Sequence, residues 1–397
     1  MSYRILLLDT GKEWGGGTNS MLELLKRIDR QRFQVDALFY SNYAKGKHSD
    51  LRRELAAIGI PLHVPHRVRQ PAWAKLLKEL ARALLFFSGN ARRRAIRAID
   101  DHWHTAPRVR EIATRLDDDQ FDLLYLNNQP SSNREGYSAA ARAGVPAVQH
   151  CRSTPALTPA EVAMVNRDAA RVICVSRGLV DALAAQGVRE DLLRVVCNGI
   201  DLGQPLPDAL RPAGAPPDAL VIGTVGRLQA LKAVDHLIRA VAQARQRFPR
   251  RLHLSIVGDG EERGQLEQLA AQLGMQDCVS FAGFQAQPLP LVAGMDVVAL
   301  CSEKEGLPRV VLEAMLLGKP VIASQVPGSQ ELVVDGRTGI LYPFGDIDAL
   351  AAALLRLADD AQLRASMGAA GHARLQANYS IENYVAGVEQ VFAEVLE

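Results

Sequence analysis

Short apolar runs of strand length alternate with amphipathic stretches along this chain, and the alternation breaks off once and begins again. The first series is Ile5–Leu8, Met21–Ile28, Val35–Phe39, Leu51–Ile58, Leu123–Leu126, Ser138–Ala143, Ala147–Gln149, Val172–Val175 and Leu179–Ala184. Strands joined through helices have the connection length that parallel pairing needs, so the series predicts a parallel α/β sheet covered by helices. The second series is Val221–Val225, Val234–Arg245, Leu252–Val257, Gly264–Leu273, Val279–Phe281, Val297–Leu300, Pro308–Leu317 and Val321–Ala323. Between the two, residues 203–217 are dense in proline and glycine and carry no apolar period, as an interdomain connection does. At 397 residues the chain is longer than one hydrophobic core usually spans. The expected class is α/β with two doubly wound domains, at 1–202 and 219–378, a linker at 203–218 and a last segment at 379–397.

A chain that is 48% hydrophobic and 23% charged can bury real cores, which excludes a disordered or a membrane-spanning protein. Cys151, Cys174, Cys197, Cys278 and Cys301 lie far apart with no C-x-x-C pair, which argues against a disulfide framework and a zinc site. They are expected to be buried thiols in a reducing compartment. The N-terminal apolar run ends at Asp9 after four residues, too short for an export signal, and a cytoplasmic location is expected. Charge is uneven. Residues 1–200 hold 30 Lys and Arg against 21 Asp and Glu, a balance of +9, which leaves 16 against 23, or −7, for the remainder. Part of that excess lies in a segment where Trp73, Leu76, Leu77, Leu80, Leu84, Leu85, Phe86 and Phe87 stand among Lys75, Lys78, Arg82, Arg92, Arg93, Arg94 and Arg97. Two readings stay open: a helix pair packing its apolar stripe on the sheet, or residues 72–97 docking on an anionic inner-membrane surface.

Three places carry the motifs. Gly15-Gly16-Gly17 follows the first strand and leads into a helix, where glycines let backbone N–H groups approach a phosphate; a glycine turn needed only for the fold reads the same way. In the second half, Gly226 and Arg227 close a strand and Lys232 follows on a short loop, at the sheet edge where open α/β folds bind ligands. Two cations there can hold a diphosphate and stabilise its charge as it departs. The third place is Ser302 to Met315, after the Val297–Leu300 strand. Pro308 suits the first turn of a helix and Gly318 its end, which puts Glu305 in the loop with Gly306 and Leu307, and Glu313 inside the helix. Carboxylates so placed accept hydrogen bonds from sugar hydroxyls.

Taken in order, the Gly15-Gly16 turn, Val148-Gln149-His150, Val172 to Ser176, Asn198-Gly199-Ile200-Asp201, Gly226-Arg227 with Lys232, Val257-Gly258-Asp259-Gly260, the Glu305 to Glu313 block and Gly336 to Leu341 resemble retaining glycosyltransferases of the GT-B fold, in glycosyltransferase family 4. The resemblance covers nearly the whole length. It implies two Rossmann-like domains across a cleft, the first on the acceptor side and the second holding the donor, with the 379–397 helix packing back on the first. It also implies transfer of a sugar from a UDP- or GDP-sugar to a glycan or lipid-linked acceptor, in bacterial surface polysaccharide or lipopolysaccharide synthesis. Arg227 and Lys232 would bind the donor diphosphate, Glu305 the donor sugar and Glu313 the ribose. His150 would sit near the transferred sugar, and Gly16 would offer its backbone to phosphate. Gly15, Gly226, Gly258, Gly306 and Leu307 complete the expected donor site. No cofactor, divalent metal or nucleic-acid partner is expected.

Departures from the family pattern are Thr18, where many relatives have an acid, and Ala233, where glycine usually follows the lysine. Asp117-Asp118-Asp119 and Asp346-Ile347-Asp348 offer D-x-D pairs, but they read as a helix-end cluster and a helix N-cap. Two other functions share the architecture: a nucleotide-sugar 2-epimerase, and a silent nucleotide-binding subunit. The intact Arg227, Lys232, Glu305 and Glu313 favour the transferase.

Overall fold

A computed structural model describes residues 2–397 except 12, 13, 47, 66–70, 101, 102, 104 and 248–250. The chain begins with β1 (Tyr3–Asp9), α1 (Gly16–Arg27), β2 (Phe33–Phe39), a small hairpin of β3 (Ala44–Lys45) and β4 (Ser49–Asp50), α2 (Leu51–Ala57) and β5 (Leu62–His63). Three helices follow, α3 (Ala72–Leu84), α4 (Gly89–Asp100) and α5 (Ala106–Asp118). The alternation then returns with β6 (Leu123–Asn127), α6 (Arg134–Ala143), β7 (Ala147–Cys151), α7 (Pro159–Asp168), β8 (Ala169–Cys174), α8 (Arg177–Ala185) and β9 (Leu193–Val195). These strands form one parallel sheet in the order β5-β2-β1-β6-β7-β8-β9, apart from the β3–β4 hairpin.

The second domain runs β10 (Leu220–Val225), α9 (Val234–Arg247), β11 (Leu252–Val257), α10 (Arg263–Gln272), β12 (Val279–Gly283), α11 (Leu289–Ala293) and β13 (Val297–Leu300). It continues with α12 (Arg309–Leu316), β14 (Val321–Ser324), α13 (Pro327–Leu332), β15 (Gly339–Tyr342), α14 (Ile347–Asp359), α15 (Ala361–Asn378) and α16 (Ile381–Leu396). Its sheet is also parallel, in the order β12-β11-β10-β13-β14-β15. The architecture is thus mixed α/β with two parallel sheets in two domains.

Central strands such as β6 and β11 are buried at every position, as expected where helices cover both faces. The period-2 alternation of β1 assigns its side chains to opposite layers. Ile5 and Leu7 pack with Met21 and Leu25 of α1 and with Tyr384, Val388 and Phe392 of α16. Leu6 and Leu8 join Ile112 and Leu116 of α5 and Tyr137 and Ala140 of α6. That second cluster does not stop at the domain boundary, for it runs on through Leu307, Val310 and Val311 into the β13–β14 layer.

The chain crosses between domains twice, at residues 196–219 and 379–381, and the crossings touch. Ile200 bridges Ser380, and Ile381 N–H donates to the Ile200 carbonyl at 3.0 Å. A Cβ on Gly199 would lie 2.3 Å from the Ser380 carbonyl oxygen, so a side chain there would force the crossings apart. α16 then returns to the first domain, where Glu394 pairs with Arg171 and Arg194.

The helix pair α3 and α4 differs from the rest. Trp73, Leu76, Leu80 and Leu84 on α3 are 46–67% exposed, and Phe86 and Phe87 beyond it about 75%. The apolar stripe is therefore not packed on the sheet, and Lys75 and Arg82 are exposed beside it. The side chains of Arg93, Arg94 and Arg97 lie outside the described residues.

Candidate active site

The carboxyl ends of both parallel sheets face one cleft, which is where open α/β sheets place ligands. On the first-domain side, Gly15 is the extended N-cap of α1, and no side chain caps that helix. The first intrahelical donor is Asn19 N–H, bonded to the Gly15 carbonyl at 3.1 Å, so the N–H groups of Gly16, Gly17 and Thr18 lack an intrahelical acceptor. With no acidic residue in the first turn, this terminus presents the positive end of the helix dipole. Thr18 lies within 3.2 Å of the Tyr43 hydroxyl.

On the second-domain side two loops are stitched together. After β10 the chain forms a turn at Ala230–Lys232, and Ala233 takes the left-handed conformation with φ +44°. An alanine there is strained, because its Cβ crowds the following carbonyl oxygen. The left-handed residue is what turns the chain from the Lys232 loop into α9, in a conformation that glycine would take without strain. Lys232 Nζ reaches the Glu305 carboxylate at 2.6 Å, and the Glu303 N–H donates to the Leu231 carbonyl at 2.9 Å. Glu305 is the more buried partner, its side chain 10% exposed against 24% for Lys232. Arg227 is more open and pairs with Glu261 at 3.0 Å.

Gly226 and Gly258 fit together by necessity. Gly258 has φ +140°, and a Cβ on it would sit 1.8 Å from the Gly226 carbonyl oxygen. Pro308 proves to be the N-cap of α12 rather than a residue of its first turn: its ψ of 117° is extended, and Arg309 begins the helix. Glu313 follows half-buried on α12, with Arg309 Nε 3.8 Å away. Burial raises the Glu313 pKa above the ordinary carboxylate range, and Arg309 opposes part of that rise.

The two sides meet closely. A Cβ on Gly306 would lie 2.0 Å from the Arg152 carbonyl oxygen, Arg309 Cδ is 3.7 Å from the Cβ position of Gly16, and Arg309 Nη1 reaches Ser20 at 3.4 Å. Asn198 Nδ2 donates to the Leu307 carbonyl at 3.2 Å. Gly15, Gly16, Lys232, Glu305, Gly306, Leu307 and Glu313 therefore gather around one cleft, with Arg227, Gly226 and Gly258 along its second-domain rim.

His150 is placed differently from the other predicted residues. It has no exposed surface and lies between the rings of Tyr125 and Tyr384, with Nδ1 bonded to the Tyr125 hydroxyl. Its Nε2 is buried with no partner among the described residues. Burial, with the Arg152 charge second, holds its pKa well below the usual histidine range, so the ring is neutral. Of the two aspartate clusters, one caps a helix and the other ends one. Asp346 accepts from Ala349 N–H at 2.9 Å, and Asp117 and Asp118 end α5.

Two features escaped the sequence. One is the polar network at the ends of β1, β6 and β7, where Asn127, Asn128 and Gly11 all donate to Asp9 and Arg152 reaches Asn127 at 2.7 Å. Asp9 lies 118 and 119 positions from Asn127 and Asn128, and only Arg152, shortly after His150, marks the network locally. The other is a cavity of about 650 Å³ between the domains, lined by Lys45, His48 and Glu54 on one side and Asp259, Gly283 and Phe284 on the other.

Comparison with known proteins agrees with this geometry. Residues 15–199 match the glycosyl transferase 4-like domain, and residues 208–374 match the glycosyl transferases group 1 family. The chain belongs to the GT-B glycosyltransferases of the family 4 type. It is 32% identical over 222 residues to the lipopolysaccharide core biosynthesis glycosyltransferase LpsE of Rhizobium meliloti, a match covering 56% of this chain and 64% of that protein, a little under two thirds. It is 30% identical over 421 residues to the D-inositol 3-phosphate glycosyltransferase of Salinispora tropica, covering 96% and 81%. The crystal structure of Anabaena Alr3699/HepE in complex with UDP-glucose superposes with a TM-score of 0.77 at 25% identity, covering 98% and 99%. Among the described residues no helix is long and apolar enough to cross a membrane.

Proposed function

We propose that this chain is a retaining glycosyltransferase that moves a hexose from a UDP-sugar, with GDP-sugars as the alternative donors, to a glycan or lipid-linked acceptor of a bacterial surface polysaccharide or lipopolysaccharide. The observation that carries the reading is the Lys232–Glu305 pair opposite the uncapped Gly15–Gly17 turn. The likeness to a protein solved with UDP-glucose and to a lipopolysaccharide core transferase supports the donor and acceptor classes.

In this reading the diphosphate takes Lys232 and Arg227 from their present carboxylate partners. Glu305 is then free to accept hydrogen bonds from the donor sugar, and Glu313 from the ribose. The cavity beside Asp259 and Phe284 has room for the nucleoside. The bond from the anomeric carbon to the diphosphate breaks with its electron pair on the phosphate oxygen. The acceptor oxygen bonds the same face of that carbon, and its proton passes to the departing phosphate oxygen. No separate base is needed, and neither glutamate acts as nucleophile. Lys232, Arg227 and the α1 N-terminus meet the leaving charge, so no divalent cation is required. The neutral His150 flanks the site as a hydrogen-bonding group. Exposed apolar residues of α3 beside Lys75 and Arg82 support peripheral docking on anionic lipid at the cytoplasmic face of the inner membrane.

The test is proton NMR of fresh product from UDP-glucose, UDP-galactose or GDP-mannose, assayed with EDTA present. An α-linked product supports the reading. A β-linked product, activity that returns only with magnesium or manganese, or donor isomerised without acceptor each overturns a stated part of it.

A further inference from the structure

Arg152 lies two residues after the buried His150, just past the end of β7, and three of its side-chain hydrogen bonds reach separate parts of the molecule. Nε donates to Asn127 Oδ1 at 2.7 Å, at the end of β6. Nη1 donates to Asn198 Oδ1 at 3.1 Å, on the first interdomain crossing. Nη2 donates to the Tyr384 hydroxyl at 3.1 Å, on α16 just beyond the second crossing. Asn198 in turn donates from Nδ2 to the Leu307 carbonyl at 3.2 Å. The backbone of Arg152 adds a contact of its own, its carbonyl backing Gly306 so closely that any Cβ would clash. Its Cδ lies 3.2 Å from the Cβ position of Gly17.

These bonds have an unusual chemistry. All three acceptors are neutral, and among the described residues Arg152 forms no ion pair; Asp9 is bonded to Asn127 and acts on the guanidinium through its field without a bond to it. A guanidinium is a planar fork with five donors in fixed directions, so it can hold several acceptors at set angles where an ammonium cannot. Drawing a guanidinium partly out of water with no carboxylate bonded to it costs free energy, and a neutral side chain would fill this space with less penalty. What the arginine supplies is geometry. It joins the β6 and β7 ends and both crossings to the loop that carries Glu305, Gly306 and Leu307.

We propose that Arg152 is a positioning residue for the transfer reaction, setting the Glu305–Leu307 loop against the Gly15–Gly17 turn through Asn198. This rests on the proposed transferase function for its kinetic half but not for its structural half. Transfer depends on the donor loop and the glycine turn meeting the same phosphate within a fraction of an ångström. Misplacement by about 1 Å costs on the order of 100-fold in rate. The effect should fall on kcat more than on donor KM, because loop and turn each keep their own ligand groups.

The experiment compares wild-type protein with Arg152→Met, Arg152→Lys, Asn198→Ala and the Arg152→Met/Asn198→Ala double variant. Hydrogen exchange is expected to quicken at residues 305–310 in Arg152→Met, and kcat to drop about 100-fold with donor KM within a few fold. Arg152→Lys should recover only a small part, since the three donors of an ammonium sit on one atom and cannot span acceptors set around a planar fork. The double variant should be little worse than either single one, because both cut the same link. If Arg152→Met does not fold, Asn198→Ala carries the test with the same expectation. Unchanged exchange at 305–310, kcat within threefold of wild type, or additive losses overturn the proposal. Wild-type protein that turns over no nucleotide sugar would overturn the functional reading instead, and exchange alone would then judge the coupling.

Discussion

The two edges of the cleft solve different problems with different chemistry. The second-domain edge carries ion pairs, Lys232 with Glu305, Arg227 with Glu261 and Arg309 with Glu313. The first-domain edge carries a network of the buried Asp9, Asn127, Gln149 and His150 with the half-buried Arg152, whose hydrogen bonds run mostly through amides. An ion pair at a half-open edge can exchange its partner for a ligand of the same charge at little cost, since each cation only trades one anion for another. Buried amides and a neutral imidazole do not exchange partners easily, because each bond broken leaves an unsatisfied polar group. The second edge is thus built to take hold of an anion, and the first to stay still while it does.

The strongest challenge to that contrast is to remove one member of the exchanging pair. Glu305→Ala and Lys232→Ala are each expected to lower turnover at least 100-fold, about the loss seen when a charge-stabilising group is removed. Circular dichroism should remain native. Lys232→Ala should also lose more stability than Glu305→Ala, because it strands the more buried of the two groups. Near-wild-type turnover by either purified variant would mean that the pair is structural. Gly306→Ala comes next. Its new methyl must displace the Arg152 backbone from 2.0 Å, so we expect turnover down about tenfold or more, from misplaced reacting groups, with both sheets still folded. An unaltered rate would show that the edges need not touch.

Further predictions sharpen the comparison away from the cleft. If α3 docks on lipid, Leu76→Glu with Leu84→Glu should reduce binding to anionic vesicles by tenfold or more, since each apolar side chain contributes about 1.5–3 kcal/mol when buried. Both residues are exposed, so melting should be unchanged. Equal vesicle sedimentation of variant and wild type would remove the docking proposal. The still edge should reveal itself through pH. His150 is held neutral in the fold, with its pKa depressed below the 6.5 of the free side chain. The unfolded chain then binds the extra proton first as pH falls below 6.5, so stability is lost on acidification and flat above that value. Denaturation should show this component with a slope of at most about 1.4 kcal/mol per pH unit, and His150→Gln should flatten it. An identical slope in the variant would place the histidine outside the titrating set. The smallest effect is expected from Ala233→Gly, which relieves a left-handed alanine and should raise stability by about 1 kcal/mol in a denaturant titration. A loss of stability would mean that the methyl, 6% exposed, contributes more by packing than it costs by strain.

Long apolar runs were easy to read because they bury both faces of a central strand. β1, β2, β6, β10, β11 and β13 fall within a few residues of the runs that announced them. Edge strands such as β5 and β9 did not stand out, since two or three residues hold no period. α7 was also missed: its ten residues bury only Val165, so no stripe marks it. α3 inverted the usual inference. Its stripe is strong, yet it faces outward, and periodicity reports that a helix has an apolar face without saying what covers it.

The same division runs through the site. Gly15-Gly16, Gly226 with Arg227 and Lys232, and Glu305 to Glu313 could be recognised locally, because a turn, a cap and a charge at a strand end are properties of a few neighbouring residues. The sequence by itself therefore determined two parallel α/β units, the chemistry of each loop and the family. Only the tertiary structure decided that Lys232 faces Glu305, that His150 is sealed between two tyrosines, and that Arg152 joins both crossings to the donor loop. Those contacts join residues 73, 25, 234, 46 and 232 positions apart along the chain. Local propensity carries no information at such separations; strand pairing within each sheet and the meeting of the two domains create the contacts and the burial that gives them their energy.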